Sequence, residues 1–442
     1  MPALPRLLLA APMSGSGKTT ITAGLIAALT ARGLSVAPFK CGPDYIDPGY
    51  HALASGRACF NLDAWLTPPE QIAGILARRS TGADLTLIEG VMGLFDGYSG
   101  ADDTGSSAHI ARLTATPVVI VLDARAMART AAALVAGLRD FDRRLSIAGV
   151  ILNRIGSLRH AQMVQEAVEG SVGVPVIGYL QRDDALTLPE RHLGLIPVAE
   201  PGRWQAWLSE VRQRVEATID LDRLIALARA APPLVDHDMA LPRFESVPAG
   251  VPPIIAVARD EAFSFLYEDN LDLLRAAGAT IAFFSPLRDT ALPEGTAALY
   301  LCGGYPELYA ECGGLMYLTE AIIDAAGQTH PMVGALAGRS VMTSRLTLGY
   351  RTARVGCDTW LWREGETLRG HEFHYSVWEE RPTHLPWLYT CLPDAMRPTM
   401  FQEGAMVGNT LASYIHMHFL AYPHAAQRFV AAAAAFRHGA TV

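Results

Sequence analysis

Leu7-Leu-Leu-Ala-Ala11-Pro-Met-Ser-Gly-Ser-Gly-Lys-Thr-Thr20 is the stretch that decides the fold of the first half of this chain. An apolar run ends, a Gly/Ser turn follows, and a helical pattern opens at Thr20. Strand, tight turn and helix together are the context a phosphate-binding loop requires. Gly15 and Gly17 let the backbone come close to phosphate oxygens, and successive N–H groups at a helix start attract an anion. Along Ser14, Gly15, Ser16, Gly17, Lys18, Thr19 and Thr20, Lys18 is placed to reach the β- and γ-phosphates of ATP, and the Thr19 hydroxyl to ligate Mg²⁺. Pro12 stands where the usual GxxxxGKS/T pattern has its first glycine, so the loop is of a deviant type.

Working outward, short apolar runs at 7–11, 35–39, 85–88, 117–122, 147–152 and 174–179 alternate with helical patterns such as 20–31 and 126–138. Nearly continuous apolar strands separated by helices indicate an α/β fold, a parallel sheet covered on both faces. Ligands of such sheets bind beyond the carboxyl ends of the strands, so the loops after these runs are the functional candidates. After the second run comes Lys40-Cys-Gly-Pro-Asp-Tyr-Ile-Asp-Pro-Gly-Tyr-His51, where Pro43 and Pro48 predict an irregular loop holding Asp44 and Asp47 together. Those carboxylates could hold Mg²⁺, orient a substrate, or serve only in Asx turns. After the third run, Glu89 heads Glu89-Gly-Val-Met-Gly-Leu-Phe-Asp-Gly97, at a strand end where a hard oxygen ligand for Mg²⁺ belongs. Asn153 and Arg154 follow the fifth run and could contact adenine or make an ordinary turn.

The 442 residues exceed one core and indicate two or three domains. A net charge of −8 argues against nucleic-acid binding, which needs a basic face. No apolar run approaches the ~20 residues of a membrane span, and the start carries no signal-peptide pattern. Six scattered cysteines without a CxxC pair fit a reducing cytoplasm better than a disulfide framework or zinc site. The chain holds only two lysines, Lys18 and Lys40, and both fall in the loops above, where a compact ammonium cannot be exchanged for guanidinium.

Residues 231–253 are proline-rich and aperiodic, which predicts a linker between domains 1–230 and 254–442. Strands are predicted at 254–258, 280–284 and 297–301 with a helix near 266–277. Cys312 lies among glycines before an apolar helix, in Ala310-Glu-Cys-Gly-Gly-Leu-Met-Tyr-Leu318, a pattern that describes a nucleophile elbow.

The motifs APMSGSGKTT, FKCGPDYIDPGYH, EGVMGLFDG, GGYPEL, ECGGLMYL, GHEFHYS and GNTLASYIHMHF together resemble the cobyrinic/hydrogenobyrinic acid a,c-diamide synthase family over nearly the whole chain. The resemblance implies an ATP-dependent synthetase of the dethiobiotin synthetase type fused to a class I glutaminase-like domain. It implies amidation of the a and c acetates of a corrinoid acid through an acyl phosphate, with glutamine or ammonia supplying nitrogen. Lys40, Asp44, Tyr45, Asp47 and Asp96 would then border the substrate, Lys40 neutralising the intermediate. His416 would be the base for Cys312, with His418 second, and 303–307 would form the oxyanion loop. A two-residue Cys–His site is expected, because no glutamate follows His416 at the spacing of many glutaminases. The segment Arg369-Gly-His-Glu-Phe-His-Tyr375 is read as packing. Alternatives are a nickel-sirohydrochlorin a,c-diamide synthase, an ammonia-dependent ligase with a glutaminase remnant, and a regulatory ATPase. No nucleic-acid or membrane partner is expected, and a homodimer stays open.

One departure from the family pattern stands out. Cys312 follows the GGYPEL loop directly, where the family places a helix and the nucleophile's strand. The repeated Tyr-Ala at the junction suggests an internal deletion. The expectation is an elbow without its strand, unpaired neighbouring strands and impaired glutamine use.

Overall fold

The computed structural model describes residues 4–186, 188, 190–191, 194–195, 203–234, 242, 244, 251–303, 309–394 and 397–437. Internal contacts divide the chain into two units, Met1–Ala240 and Leu241–Val442.

In the first unit β1 (Arg6–Ala10), β2 (Val36–Cys41), β3 (Phe60–Leu62), β4 (Leu85–Glu89), β5 (Val118–Asp123), β6 (Ile147–Ile155) and β7 (Val176–Gln181) form one parallel sheet. Their order is β3-β2-β4-β1-β5-β6-β7. Its helices are α1 (Lys18–Ala31), α2 (Asp47–Ser55), α3 (Ile72–Arg79), α4 (Ser107–Leu113), α5 (Arg129–Phe141), α6 (Leu158–Val172), α7 (Arg203–Thr218) and α8 (Leu221–Arg229), with a ribbon β8–β9 (Glu190–Arg191, Gly194–Leu195). Every residue of β1 and β4 is buried, as the unbroken apolar runs require. Leu7 and Leu9 of β1 pack with Ile21 and Leu25 of α1, Val119 and Val121 of β5, and Val211 and Val215 of α7. That packing fixes the start of α1 against the carboxyl ends of β1 and β4.

In the second unit β10 (Ile254–Ala258), α9 (Glu268–Ala276), β11 (Thr280–Phe284), β12 (Thr296–Leu301), β13 (Tyr309–Glu311) and α10 (Gly313–Leu318) come first. There follow β14 (Thr319–Ile323), β15 (Thr329–Pro331), β16 (Leu336–Val355), β17 (Thr367–Glu379), β18 (Trp387–Cys391), β19 (Phe401–Val407), β20 (Thr410–Ser413), β21 (Ile415–Met417) and α11 (Pro423–Arg437). The mixed sheet runs β11-β10-β12-β13-β20-β19-β18-β16-β14-β15, and β17 pairs with both β16 and β21.

Two expectations are corrected here. Pro48 does not keep its segment out of helix; α2 begins at Asp47 with Pro48 in its first turn, where the missing N–H costs nothing. And the strand before Cys312 is present. β13 pairs in parallel with β12 (Tyr300↔Tyr309, Leu301↔Ala310) and with β20 (Tyr309↔Leu411, Ala310↔Ala412, Glu311↔Ser413), so its neighbours are not left unpaired. The register explains how. Residues 302–308 are short of the roughly dozen a parallel crossover takes. But Tyr309 lies opposite Tyr300, near the end of β12, so β13 pairs with the carboxyl-terminal end of β12 alone. No helix occurs between β12 and β13 among the described residues. Nor is any described helix long and apolar enough to cross a membrane.

Candidate functional site

The loop 11–17 leaves β1 and enters α1 with Gly15 at φ +74° and Gly17 at φ +90°, conformations that L side chains avoid. Gly17 is needed twice over, because a Cβ there would lie 2.2 Å from Asn153 Nδ2. Asn153, from β6, donates to Ser16 O at 2.8 Å, and Arg154 donates to Gly15 O at 2.8 Å and to Asp123 at 2.6 Å. The two residues read as adenine contacts thus brace the phosphate loop, although both line the cavity.

That cavity, of about 390 Å³, is lined by Ser14, Gly15, Gly17, Lys18, Thr19, Thr20, Lys40, Asp44, Asp47 and Glu89, with Leu180 and Gln181 at the end of β7 and Asp183, Leu186 and Leu188 after it. Lys18 Nζ donates to Met92 O at 2.6 Å, and Thr19 Oγ1 donates to Glu89 at 2.9 Å. Lys40, almost fully buried, meets Asp47 at 2.6 Å, Glu89 at 3.1 Å and Asp44 at 3.8 Å. The chain's two lysines therefore converge on one cavity. Burial, then the Lys40 charge, lowers the Lys18 ammonium to about 8. Burial alone would lower Lys40 as well, but Asp47, Glu89 and Asp44 hold it well above the usual lysine range. Burial raises the Glu89 carboxyl, yet Lys40 and then His51 outweigh it and hold it at about 2.

Asp44, Asp47 and Glu89 crowd together beside the phosphate loop, and burial, then Asp44 and Glu89, push the Asp47 carboxyl well above the usual carboxylate range. Among the described residues no three acidic, His or Cys side chains group as an all-protein metal cage. A Thr19 hydroxyl beside the Glu89 carboxylate is instead the sparse oxygen set that suits Mg²⁺, which takes one or two carboxylates and fills its shell with phosphate and water.

Asp44 is partly an Asx residue, its Oδ1 accepting from Ile46 N at 2.8 Å and Asp47 N at 3.3 Å. Tyr45 is half-buried and outside the cavity lining. Asp96 is exposed and closes its own turn, accepting from Gly93 N at 2.9 Å. His51 was not anticipated. It is buried, and its Nε2 bonds Glu89. Its signal was the i, i+4 spacing from Asp47, hidden once the segment was read as loop rather than helix.

In the second unit Cys312 caps α10 at φ 51°, ψ −106°, a strained elbow that costs on the order of 1–3 kcal/mol and persists only where neighbours over-determine it. Those neighbours are β13 before it and Ser413, whose carbonyl accepts from Cys312 N at 2.7 Å. The thiol donates to Phe373 O at 3.4 Å. His416, fully buried on β21, lies beside Cys312. Burial lowers the His416 imidazolium, but Cys312 and then Glu311 outweigh this and lift it to about 9. His418 is turned elsewhere, against Tyr267 with ring centroids 4.6 Å apart. Asn270 pins the strand by donating to Met417 O at 2.9 Å and accepting from Phe419 N at 2.8 Å. Of the expected oxyanion loop, Gly303 packs against the histidine: a Cβ there would lie 3.1 Å from His416 Cε1 and 2.8 Å from Phe265 Cβ. Residues 304–307 lie outside the described residues. In the 369–375 segment His371 lies opposite His416 in register, and Arg351 binds Glu372 at 2.5 Å.

Residues 7–196 match the CobQ/CobB/MinD/ParA nucleotide binding domain, so the first unit is a nucleotide-binding domain. Residues 254–311 and 307–424 match the CobB/CobQ-like glutamine amidotransferase domain, in two segments that both use 307–311. The cobyrinate a,c-diamide synthase of Dehalococcoides mccartyi is 44% identical over 96% of this chain and 97% of that protein. Its alignment spans 455 positions against 442 residues here, so the relative carries residues this chain lacks. The hydrogenobyrinate a,c-diamide synthase of Thermobifida fusca is 43% identical over 97% of both chains, and the cobyrinate enzyme of Methanosarcina acetivorans 41% identical over 98% of this chain. With both halves matched and this identity sustained from end to end, the chain belongs to the cobyrinate/hydrogenobyrinate a,c-diamide synthase family.

Proposed function

We propose that this protein is a carbon–nitrogen ligase that amidates the a and c acetate side chains of cobyrinic or hydrogenobyrinic acid, with glutamine as nitrogen donor, in cobalamin synthesis. The observation that carries the reading is the convergence of Lys18, Thr19, Lys40 and Glu89, from the start of α1 and the carboxyl ends of β2 and β4, on one cavity at the carboxyl edge of the sheet.

A carboxylate resists ammonia because oxide is too poor a leaving group. ATP with Mg²⁺ supplies the γ-phosphoryl group that turns the acid into an acyl phosphate, from which ammonia displaces phosphate. Lys18 and the loop N–H groups hold the phosphates, Thr19 and Glu89 hold Mg²⁺, and Asn153 and Arg154 keep the loop in shape. Lys40 stands between this centre and Asp44 and Asp47, where it can neutralise charge on the reacting acid. Tyr45 and Asp96 border the substrate in the same reading.

In the second unit Cys312 attacks the glutamine amide and His416 gives its proton to the departing ammonia, leaving a glutamyl thioester for water to hydrolyse. Impaired glutamine use was expected from an absent strand; β13 supplies that strand, and the thiol and imidazole meet. The six cysteines are free, which supports a cytoplasmic setting.

A second reading, an ammonia-dependent ligase with an idle glutaminase, is favoured by the shortness of the connection from β12, ending at Leu301, to β13, starting at Tyr309. The deciding assay measures ADP release with cobyrinic and hydrogenobyrinic acids, using glutamine and ammonium separately. Turnover with both donors is expected. Turnover with ammonium alone selects the second reading, and none with either acid rejects both.

A further inference from the structure

A sequence search for the third glutaminase residue looks after the histidine and finds none. The structure has a carboxylate at the histidine, and it comes from the residue before the nucleophile. Glu311 Oε2 lies 3.5 Å from His416 Nδ1. Its Oε1 accepts from Met417 N at 2.8 Å and Tyr309 Oη at 3.1 Å, and Tyr300 Oη donates to Oε2 at 3.4 Å. Carboxylate and imidazole are both buried, 2% and 0% exposed. Of the four described groups meeting the carboxylate, three are neutral donors, and His416 is the one among them that can carry positive charge.

We propose that Glu311 is the positioning carboxylate of the glutaminase centre, holding a proton on His416 Nδ1 so that Nε2 exchanges protons with the Cys312 thiol. Nucleophile and orienting acid are then consecutive residues, one at the end of β13 and one on the elbow. The three-residue strand is thereby explained as well. Pairing Tyr309, Ala310 and Glu311 with β20 brings both functional side chains to β21 together. An imidazolium buried without a counter-charge would lose its proton, and Glu311 is the carboxylate that opposes that loss.

The other groups around His416 do not supply this. From β17, His371 is lowered to about 3 by burial and by His416 itself, and so is neutral. Glu372, also on β17, is engaged by Arg351, which in turn pairs with Asp394. Tyr300 of β12 and Tyr309 of β13 are raised well above the usual tyrosine range by burial and remain neutral.

Glu311→Gln separates positioning from mere packing, because an amide oxygen can still accept from Met417 N and Tyr309 Oη while the charge is gone. The inference rests on Cys312 and His416 being the glutaminase centre, and Cys312→Ser tests that first: it must abolish glutamine use. In Glu311→Gln, the glutamine-dependent kcat/KM, taken relative to the ammonia-supported rate of the same preparation, should fall about 10²-fold. The alkaline limb of its pH profile should move down by about one unit, and Glu311→Asp should restore the limb and part of the rate. Glu311→Gln kinetics and pH profile like the parent's overturn the inference while leaving the glutaminase reading intact. So does a loss with no movement of the limb and no rescue by aspartate. If Glu311→Gln does not fold, Glu311→Asp decides alone, since its shorter reach must reduce the rate and a parent-like rate overturns the proposal.

Discussion

The two candidate centres are built on opposite plans. The nucleotide-side cavity is charge-dense: Lys18 and Lys40 stand among Asp44, Asp47 and Glu89. The glutaminase centre is charge-poor and strained, an elbow cysteine at positive φ held by a three-residue strand and opposed by one histidine and one carboxylate. The first is suited to binding ready-made charge on phosphates. The second must generate charge on sulfur and therefore depends on buried geometry. Losing one cation should cripple the first, whereas losing a few tenths of an ångström should cripple the second.

The sharpest break in that comparison is a crossed pair of substitutions. Lys18→Ala should reduce amidation by roughly 10³-fold with either nitrogen donor, because phosphate charge is then left without its ammonium. Cys312→Ala should abolish amidation from glutamine while ammonium still supports it. ADP release with each donor reads both. Equal sensitivity of the two donors to Cys312→Ala would mean that the units do not divide the chemistry this way.

Lys40→Met addresses stability in the charged cavity. It leaves Asp47 and Glu89 buried without their common partner, so unfolding free energy in urea should drop by about 3–5 kcal/mol, the cost of breaking a buried ion pair from one side. A change below about 1 kcal/mol, the level of an exposed pair, would show that water enters the cluster.

Gly303→Ala addresses the strained centre. The added Cβ meets Phe265 Cβ at 2.8 Å, which cannot swing aside, and His416 Cε1 at 3.1 Å. The imidazole must shift, and glutamine-dependent kcat/KM should fall about tenfold or more with the ammonia rate held, as misplacement of a catalytic group does. An unchanged ratio of the two rates would show that the site tolerates displacement.

The same contrast governs what the sequence disclosed. Lys18, Thr19 and Glu89 were legible because a phosphate loop and a strand end place side chains by local rules, and the apolar runs of β1 and β4 stated the parallel sheet. His51 was missed because two prolines suggested loop where one of them begins a helix. β13 was missed because a three-residue strand carries no periodicity, and only its pairing with β12 and β20 defines it. Glu311 was missed because the contact between β13 and β21 joins residues 105 positions apart in number, Glu311 and His416, with no local rule linking them.

The smallest effect tests the charge-poor side by titration. His416 sits at about 9 rather than the ordinary 6.5, raised by Cys312 and Glu311 against the lowering effect of burial. Its protonated form is the one that delivers a proton to departing ammonia. Below about 9 that form dominates, and above it glutamine-dependent kcat/KM should fall about tenfold per pH unit. Linkage has the same sign. A raised folded-state value stabilises the unit fully below 6.5, and the contribution is lost as pH climbs through about 9. The ammonia-supported rate bypasses His416 and gains free base as pH rises, so the ratio of glutamine to ammonia rates should turn down near pH 9. A ratio that stays flat to pH 10, or turns down near the unperturbed histidine range, would mean that the thiol and Glu311 do not hold the proton on that ring.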